Sequence, residues 1–365
     1  MVKHWWKALG VLIIIYTFIA GMLVPLRPGI VDVVPSSIRT GEEVKVEVKG
    51  YNSNFEKAQD SLRAWLKMDN DRALAASRIE VKNDQELTAT FNVPEYLPIN
   101  SKVKDFSVII DNEIDGASVL PSGVFITQDS IDPEMGQAVW RNSKIDKLHD
   151  KEQVTFPFRN ILSETIRNTY FHVPLWFAMV FIFLGGVIYS ALYLRTNDPK
   201  FDDRAQALTS VGILYGILGL ITGAIWAKNT WGAYWSWDVK QNMTAVALLI
   251  YAAYFILRAS FEDPERTSRI SAVYNLFAFA ALIPLIYVIP RMTDSLHPGA
   301  GGNPAFGGED LDNTMRMVFY PAIIGWTLIG LWIASLQYRT NRLRAKLLDI
   351  DSETSLQGAM LDRLK

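Results

Sequence analysis

The sequence predicts an all-α polytopic membrane protein of six transmembrane helices, with an all-β, immunoglobulin-like domain inserted into the first outer loop. Three observations lead there. Half of the 365 residues are hydrophobic, yet mean hydropathy is only +0.12, so apolar spans must alternate with a sizeable water-soluble part. Six stretches have the length and polarity of bilayer-crossing helices. Between the first two lies a long tract in which apolar and polar residues alternate with period two. A formal net charge of −2 gives no reason to expect nucleic acid as a partner. Cysteine is absent, which excludes disulfides, thiolate metal sites, thiol catalysis and thioether attachment of a prosthetic group.

The first span covers 5–24 (WWKALGVLIIIYTFIAGMLV). Lys3 and Lys7 at its start allow a signal peptide, but the apolar run is long and no A-x-A-like site precedes Pro25, which favours a retained helix. Residues 1–26 are thus the first transmembrane segment. Residues 27–150 form the inserted domain. In it VDVVP, EVKVEVKGY, RIEVKN, ELTATFNVP, DFSVIID and VFIT read as strands, with turns at Asn52-Ser53 and Asn83-Asp84 and a short helix near 56–67. A docking surface and a passive spacer are both open as its role. In 154–170, Phe158, Ile161, Leu162 and Ile166 recur at helical spacing, which predicts an amphipathic helix on the outer interface. Five more spans follow at about 173–194, 207–226, 242–258, 270–289 and 317–337, completing a membrane domain over 151–340. A tail over 341–365 ends the chain. Lys and Arg crowd the loops on one side (Lys3, Lys7; Arg195, Lys200, Arg204; Arg258, Arg266, Arg269; Arg339, Arg342, Arg344, Lys346). That side is cytoplasmic by the positive-inside rule, as are both termini, and the inserted domain lies outside.

The chemistry gathers on the outer side. Four of the 11 tryptophans (Trp226, Trp231, Trp235, Trp237) fall within Trp226–Asp238, WAKNTWGAYWSWD. If 231–238 is helical, Trp231, Trp235 and Asp238 share a face, and Gly232 admits something flat to the backbone. A planar macrocycle needs such a surface; an interfacial aromatic belt is the plainer reading. Asp238 orients a donor, contacts a partner, or caps the following helix. Of four histidines, His4 and the charged-stretch His149 read as solvated. His172 and His297 stand in different outer loops, each with a proline close behind (Pro174, Pro298). Two neutral imidazoles on one side of a membrane can hold haem iron from opposite faces.

WGAYWSWD with its flanking helices resembles the tryptophan-rich "WWD" signature of haem-handling proteins of cytochrome c biogenesis. YFHVP and LHPG, each before a helix, resemble haem exporter protein C (CcmC) within that group. The resemblance covers the first helix and roughly 154–340, and leaves out the β domain. It implies haem b held by His172 and His297, with Trp231, Gly232, Trp235, Trp237 and Asp238 contacting the ring. It also implies delivery to a periplasmic haem chaperone (CcmE) alongside ABC transporter subunits, in the cytoplasmic membrane, without enzymatic catalysis. VKQNMTAV after Asp238 departs from close bacterial relatives, and Lys240 is nearer to the ligase branch (CcsA). The ligases add histidines inside spanning helices, and no predicted span here holds one, which favours the exporter reading over a CcsA/CcmF-type lyase. A transporter carrying haem across the bilayer would need polar positions along a path, of which Thr222 and Asn275 are the clearest. Lys228, Lys240 and Arg291 are candidate partners for haem propionates.

Overall fold

The computed structural model describes residues 4–70, 72–140, 145, 147–151, 154–297 and 311–363. They divide into two compact units: Val24–Glu164, and Met1–Leu23 together with Thr165–Lys365.

The first of these units is built of strands, so the all-α class expected for the chain is corrected. Among the described residues, nine strands form a four-stranded sheet in the order β1-β3-β7-β6 and a five-stranded sheet in the order β2-β9-β8-β4-β5. β1 is Gly29–Val34, β2 Ser37–Arg39, β3 Glu43–Tyr51, β4 Arg63–Lys67, β5 Ala73–Ala75, β6 Arg78–Asn83, β7 Glu86–Asn92, β8 Val103–Asn112 and β9 Gly116–Thr127. A short helix, α2 (Pro133–Trp140), follows them. Alternating side chains from both sheets, among them Val46, Val48, Leu87 and Phe91 on one and Leu66, Phe106, Val108 and Val124 on the other, meet in a single core. Period-two sequence needs cross-strand partners, and a chain with two sheets cannot be classed by its membrane helices alone.

Local expectations change here too. The helix expected near 56–67 is a single 3-10 turn, Gln59–Ser61, followed by β4. In β4 Ala64, Trp65 and Leu66 are all buried: Ala64 and Leu66 face the main core, and Trp65 packs on the other face with Ala73 and Ile109. A strand covered on both faces loses its alternation and reads as helix-compatible. The amphipathic helix expected over 154–170 is also absent. Phe158 stacks on Tyr51 at 4.9 Å within the β unit, and only Ser163–Tyr170 coils, as a 3-10 segment.

The second unit holds α1 (Trp5–Leu23), α3 (His172–Thr196), α4 (Pro199–Trp231), α5 (Val239–Ala259), α6 (Pro264–Ile283) and α7 (Asn313–Arg363). Among the described residues, six helical segments are long and apolar enough to cross a membrane. α3 packs against α4, α6 and α7, while α1 lies along α7. Leu175, Met179 and Phe183 of α3, Val211 and Tyr215 of α4, Tyr251 of α5 and Leu282 of α6 fill the middle. Small residues let the helices close: a Cβ on Gly212 would stand 2.3 Å from the Phe183 ring. Outward-facing Leu12, Ile15, Ile188, Leu249 and Ile256 are exposed, as lipid-facing side chains are. At one end Arg258 grips the buried Asp202 with both terminal nitrogens, at 2.7 and 2.8 Å. The start of α3, the end of α4 and the start of α5 lie at the opposite end, and the candidate site is there.

Candidate functional site

α4 stops where its sequence says it must. Gly232 adopts the left-handed conformation (φ 82°), its N–H bonds the Lys228 carbonyl at 3.1 Å, and Lys228 Nζ donates to the Gly232 carbonyl at 2.9 Å. Residues 232–238 are then irregular, and α5 begins only after Asp238. The helix over 231–238 that would put Trp231, Trp235 and Asp238 on one face therefore does not form; a glycine C-cap and an aspartate N-cap leave no room for one. Gly232 thus serves first as the helix stop, although open space does lie beyond it.

His297 is held in that bend. Its Nδ1 lies 2.8 Å from Asp238 Oδ1, and its backbone N–H donates to Ser295 Oγ at 3.1 Å. Asp238 accepts further bonds from the Leu296 N–H (2.8 Å), the Ser295 hydroxyl (2.9 Å) and the Lys240 N–H (2.9 Å). It is at once the α5 cap and the orienter of His297. Burial pushes its carboxyl up, but the Leu296 and Ser295 bonds, His297 and the Lys240 N–H outweigh that and hold it below its ordinary value. Burial likewise pushes the His297 imidazole below its ordinary value, against the pull of Asp238 and with help from Lys240. The ring is neutral at neutral pH, as an iron ligand must be. Asp238 occupies Nδ1, which reserves Nε2 for a ligand, a familiar arrangement in histidine sites.

Indoles surround this imidazole. Trp231 meets the His297 ring edge-on at 4.7 Å and Trp226 lies 6.1 Å from it, the two indoles being 4.8 Å apart. Trp235 and Trp237 form a second pair at 6.4 Å, with Trp237 78% exposed. The cluster of four is thus two pairs, one around His297 and one at the surface beside exposed Tyr234.

His172 opens α3, with Pro174 in the first turn, where a missing N–H costs nothing. Its Nδ1 lies 3.0 Å from Thr222 Oγ1 of α4, and the Trp176 indole N–H donates to its Nε2 at 3.2 Å. Thr222 and Trp226 are neighbours one helical turn apart on α4. One face of α4 therefore carries the partner of one histidine and a ring packed near the other. Both histidines sit at the same end of the bundle.

The donor chemistry fits haem iron: two imidazoles from different elements, indoles beside one of them, and an orienting carboxylate. Trp176 and Ser295 belong to the site without having been singled out in the sequence, whereas Trp226 stands in the tryptophan cluster and Thr222 among the polar positions of the spans, neither tied there to a histidine. Trp176 lies at i+4 from His172 and Thr222 at i−4 from Trp226, a signal open to anyone who had anchored both helices first. Among the candidate propionate partners, Lys228 caps its own helix and lies over the Tyr234 ring at 5.8 Å. Arg291 is exposed. Pro298, expected to stiffen the chain after His297, lies outside the described residues. Asn275 bonds Ser190 and Thr209 inside the bundle, which accounts for it without a conduction path.

His4 is exposed, and His149, with its side chain 37% exposed, is half-solvated and tied to a buried carboxylate. Its Nδ1 lies 2.8 Å from Asp111 Oδ2, and Asp111 is fully buried and also bound by Arg63. The β unit has a cavity of about 260 Å³ lined by Arg27, Asp115, His149 and Lys151 among others; none of the residues around His172 or His297 lines it.

Against known families, residues 156–352 match the model described as "Heme exporter protein C". The chain is 29% identical over 185 residues to heme exporter protein C of Bradyrhizobium diazoefficiens, covering 50% of this chain and 68% of that one. To the same-named protein of Paracoccus denitrificans it is 27% identical over 183 residues, 50% of this chain and 76% of that one. A shorter stretch of 96 residues is 37% identical to cytochrome c biogenesis protein CcsA of a Synechococcus strain, covering 26% of this chain and 31% of that one. The family match begins at residue 156 and leaves most of the β unit outside it.

Proposed function

The chain belongs to the heme exporter protein C family and is a multi-pass membrane protein; from that premise we propose that it binds haem b at the outer face of the cytoplasmic membrane and hands it on during cytochrome c maturation. The observation that carries the reading is the pairing of His297 with Asp238 beside two indoles, Trp226 and Trp231, with Trp226 one helical turn of α4 from the Thr222–His172 contact. His172 and His297 would hold the haem iron through Nε2. Trp226 and Trp231 offer apolar faces, and Trp235, Trp237 and Gly232 border the open side. Each 100 Å² of macrocycle withdrawn from water stabilises binding by about 2.5 kcal/mol, so capture does not need a closed cavity. An open flank is also what release to a CcmE-like chaperone beside ABC transporter subunits requires. Lys and Arg crowd the opposite end of the bundle, which supports an outer location for this end. The protein makes no covalent bond in this reading and is not an enzyme.

The test is the absorption spectrum of purified protein titrated with haem. His172→Ala and His297→Ala should each lower occupancy and shift the Soret and α/β bands. Wild-type spectra in both variants would remove the ligand assignment.

A further inference from the structure

We propose that Trp176 is a built-in placeholder for iron on His172, and that Thr222 sets the tautomer in which that histidine waits; this rests on His172 being a haem ligand. An indole nitrogen only donates, so the Trp176 N–H at 3.2 Å from Nε2 requires a lone pair there. Nδ1 then carries the proton and donates it to Thr222 Oγ1 at 3.0 Å. The threonine hydroxyl passes its own hydrogen to the Leu218 carbonyl at 2.9 Å, leaving its oxygen as the acceptor. This relay holds the imidazole neutral, with the lone pair on the nitrogen that a metal needs. The lone pair is meanwhile covered: while the indole stays, no metal can reach Nε2.

The slot in α4 is shaped for this pair of rings. A Cβ on Gly223 would lie 2.7 Å from the His172 ring, and one on Gly219 would lie 2.7 Å from the Trp176 ring. The two aromatic residues are four apart on α3 and the two glycines four apart on α4, so each ring lies against a bare stretch of backbone one turn from the next. The rings themselves cross edge to face at 5.9 Å. Side chains can exchange rotamers on a timescale far shorter than haem delivery, so the indole can leave when a better partner for Nε2 arrives. The device keeps the ligand neutral, correctly protonated and protected from adventitious metals until haem is present.

The experiment uses the full-length protein in detergent or lipid. Without haem, carbethoxylation at residue 172, followed by mass spectrometry, reads the availability of Nε2. Nitrogen NMR of labelled histidine reads its tautomer. Trp176→Phe keeps the ring and removes the donor, so labelling of His172 should rise about five-fold, the equivalent of one ordinary hydrogen bond. The Soret-monitored rate of haem capture should rise with it. Gly219→Ala, which presses the ring out of its slot while keeping the indole, should act in the same direction. Thr222→Val should lose the single tautomer and Thr222→Ser should restore it. Unchanged labelling and capture rates in both the Trp176 and Gly219 variants would overturn the placeholder. If His172→Ala changes the haem spectrum while those variants change nothing, the ligand assignment stands and only the placeholder fails. A wild-type spectrum in His172→Ala removes both.

Discussion

Asp238 shows how one side chain can do two things the sequence allows but does not connect. As N-cap it accepts the Lys240 N–H, and as orienter it holds His297 Nδ1. Asp238→Asn keeps a capping oxygen but removes the charge on the imidazole, so helix content should hold while haem affinity falls about 10–100-fold, the usual cost of losing such a partner. The pH dependence separates the two roles. The His297 pKa lies below the ordinary 6.5, and only the neutral ring binds iron, so haem retention should be flat from neutral pH to 6.5 and fall only as pH drops through that lowered value. Asp238 pulls the His297 pKa up; without its charge the midpoint should move further toward acid, not back toward neutrality. A Soret titration of wild type and variant checks both the direction and the order. His149 gives the opposite lesson. KIDKLHDKE reads as solvated because its neighbours are charged, yet one of its few polar contacts is with an aspartate far away in sequence that the fold buries completely.

At the scale of elements, helix ends were more legible than loop geometry. Asp198, Asp238 and Asp263 are all N-caps whose side chains accept a backbone N–H, a pattern that follows from residue type and position alone. WGAYWSWD has helical spacing among its rings and is compatible with a helix, but Gly232 ends α4 and leaves 232–238 irregular. Helix packing is where a single atom decides. The Phe183 ring stacks on Tyr251 at 3.7 Å and 9°, so it cannot yield to a new methyl at Gly212. Gly212→Ala should destabilise the bundle by about 1–3 kcal/mol through overpacking, visible as a lower melting temperature in detergent. Gly185→Ala is the matched control: its added methyl would find Leu208 at an ordinary 3.4 Å, and its melting temperature should stay at the wild-type value.

For the molecule as a whole, the two units are separable in their cores. The sandwich core runs from Ile30 to Trp140 without a residue from the membrane helices. A fragment covering Val24–Glu164 should therefore fold alone and unfold in one cooperative transition with a β-type circular dichroism spectrum; a non-cooperative melt would show that the sandwich depends on the rest of the chain. The sequence by itself determined the six spans, the presence of a β tract between the first and second, and the position of His172, His297 and the Trp226–Asp238 tryptophans at or beyond the ends of spans. Those features depend on the length and period of apolar runs, which any window of the chain carries locally. Only the tertiary structure decided that β4 is a strand, that Asp238 belongs to His297, that Trp226 and not only Trp231 lies near it, and that Trp176 and Thr222 occupy both nitrogens of His172. Each of those is a contact between residues four to 71 positions apart, set by how helices and strands pack. Nothing in a local pattern can distinguish among the many partners such residues might have had.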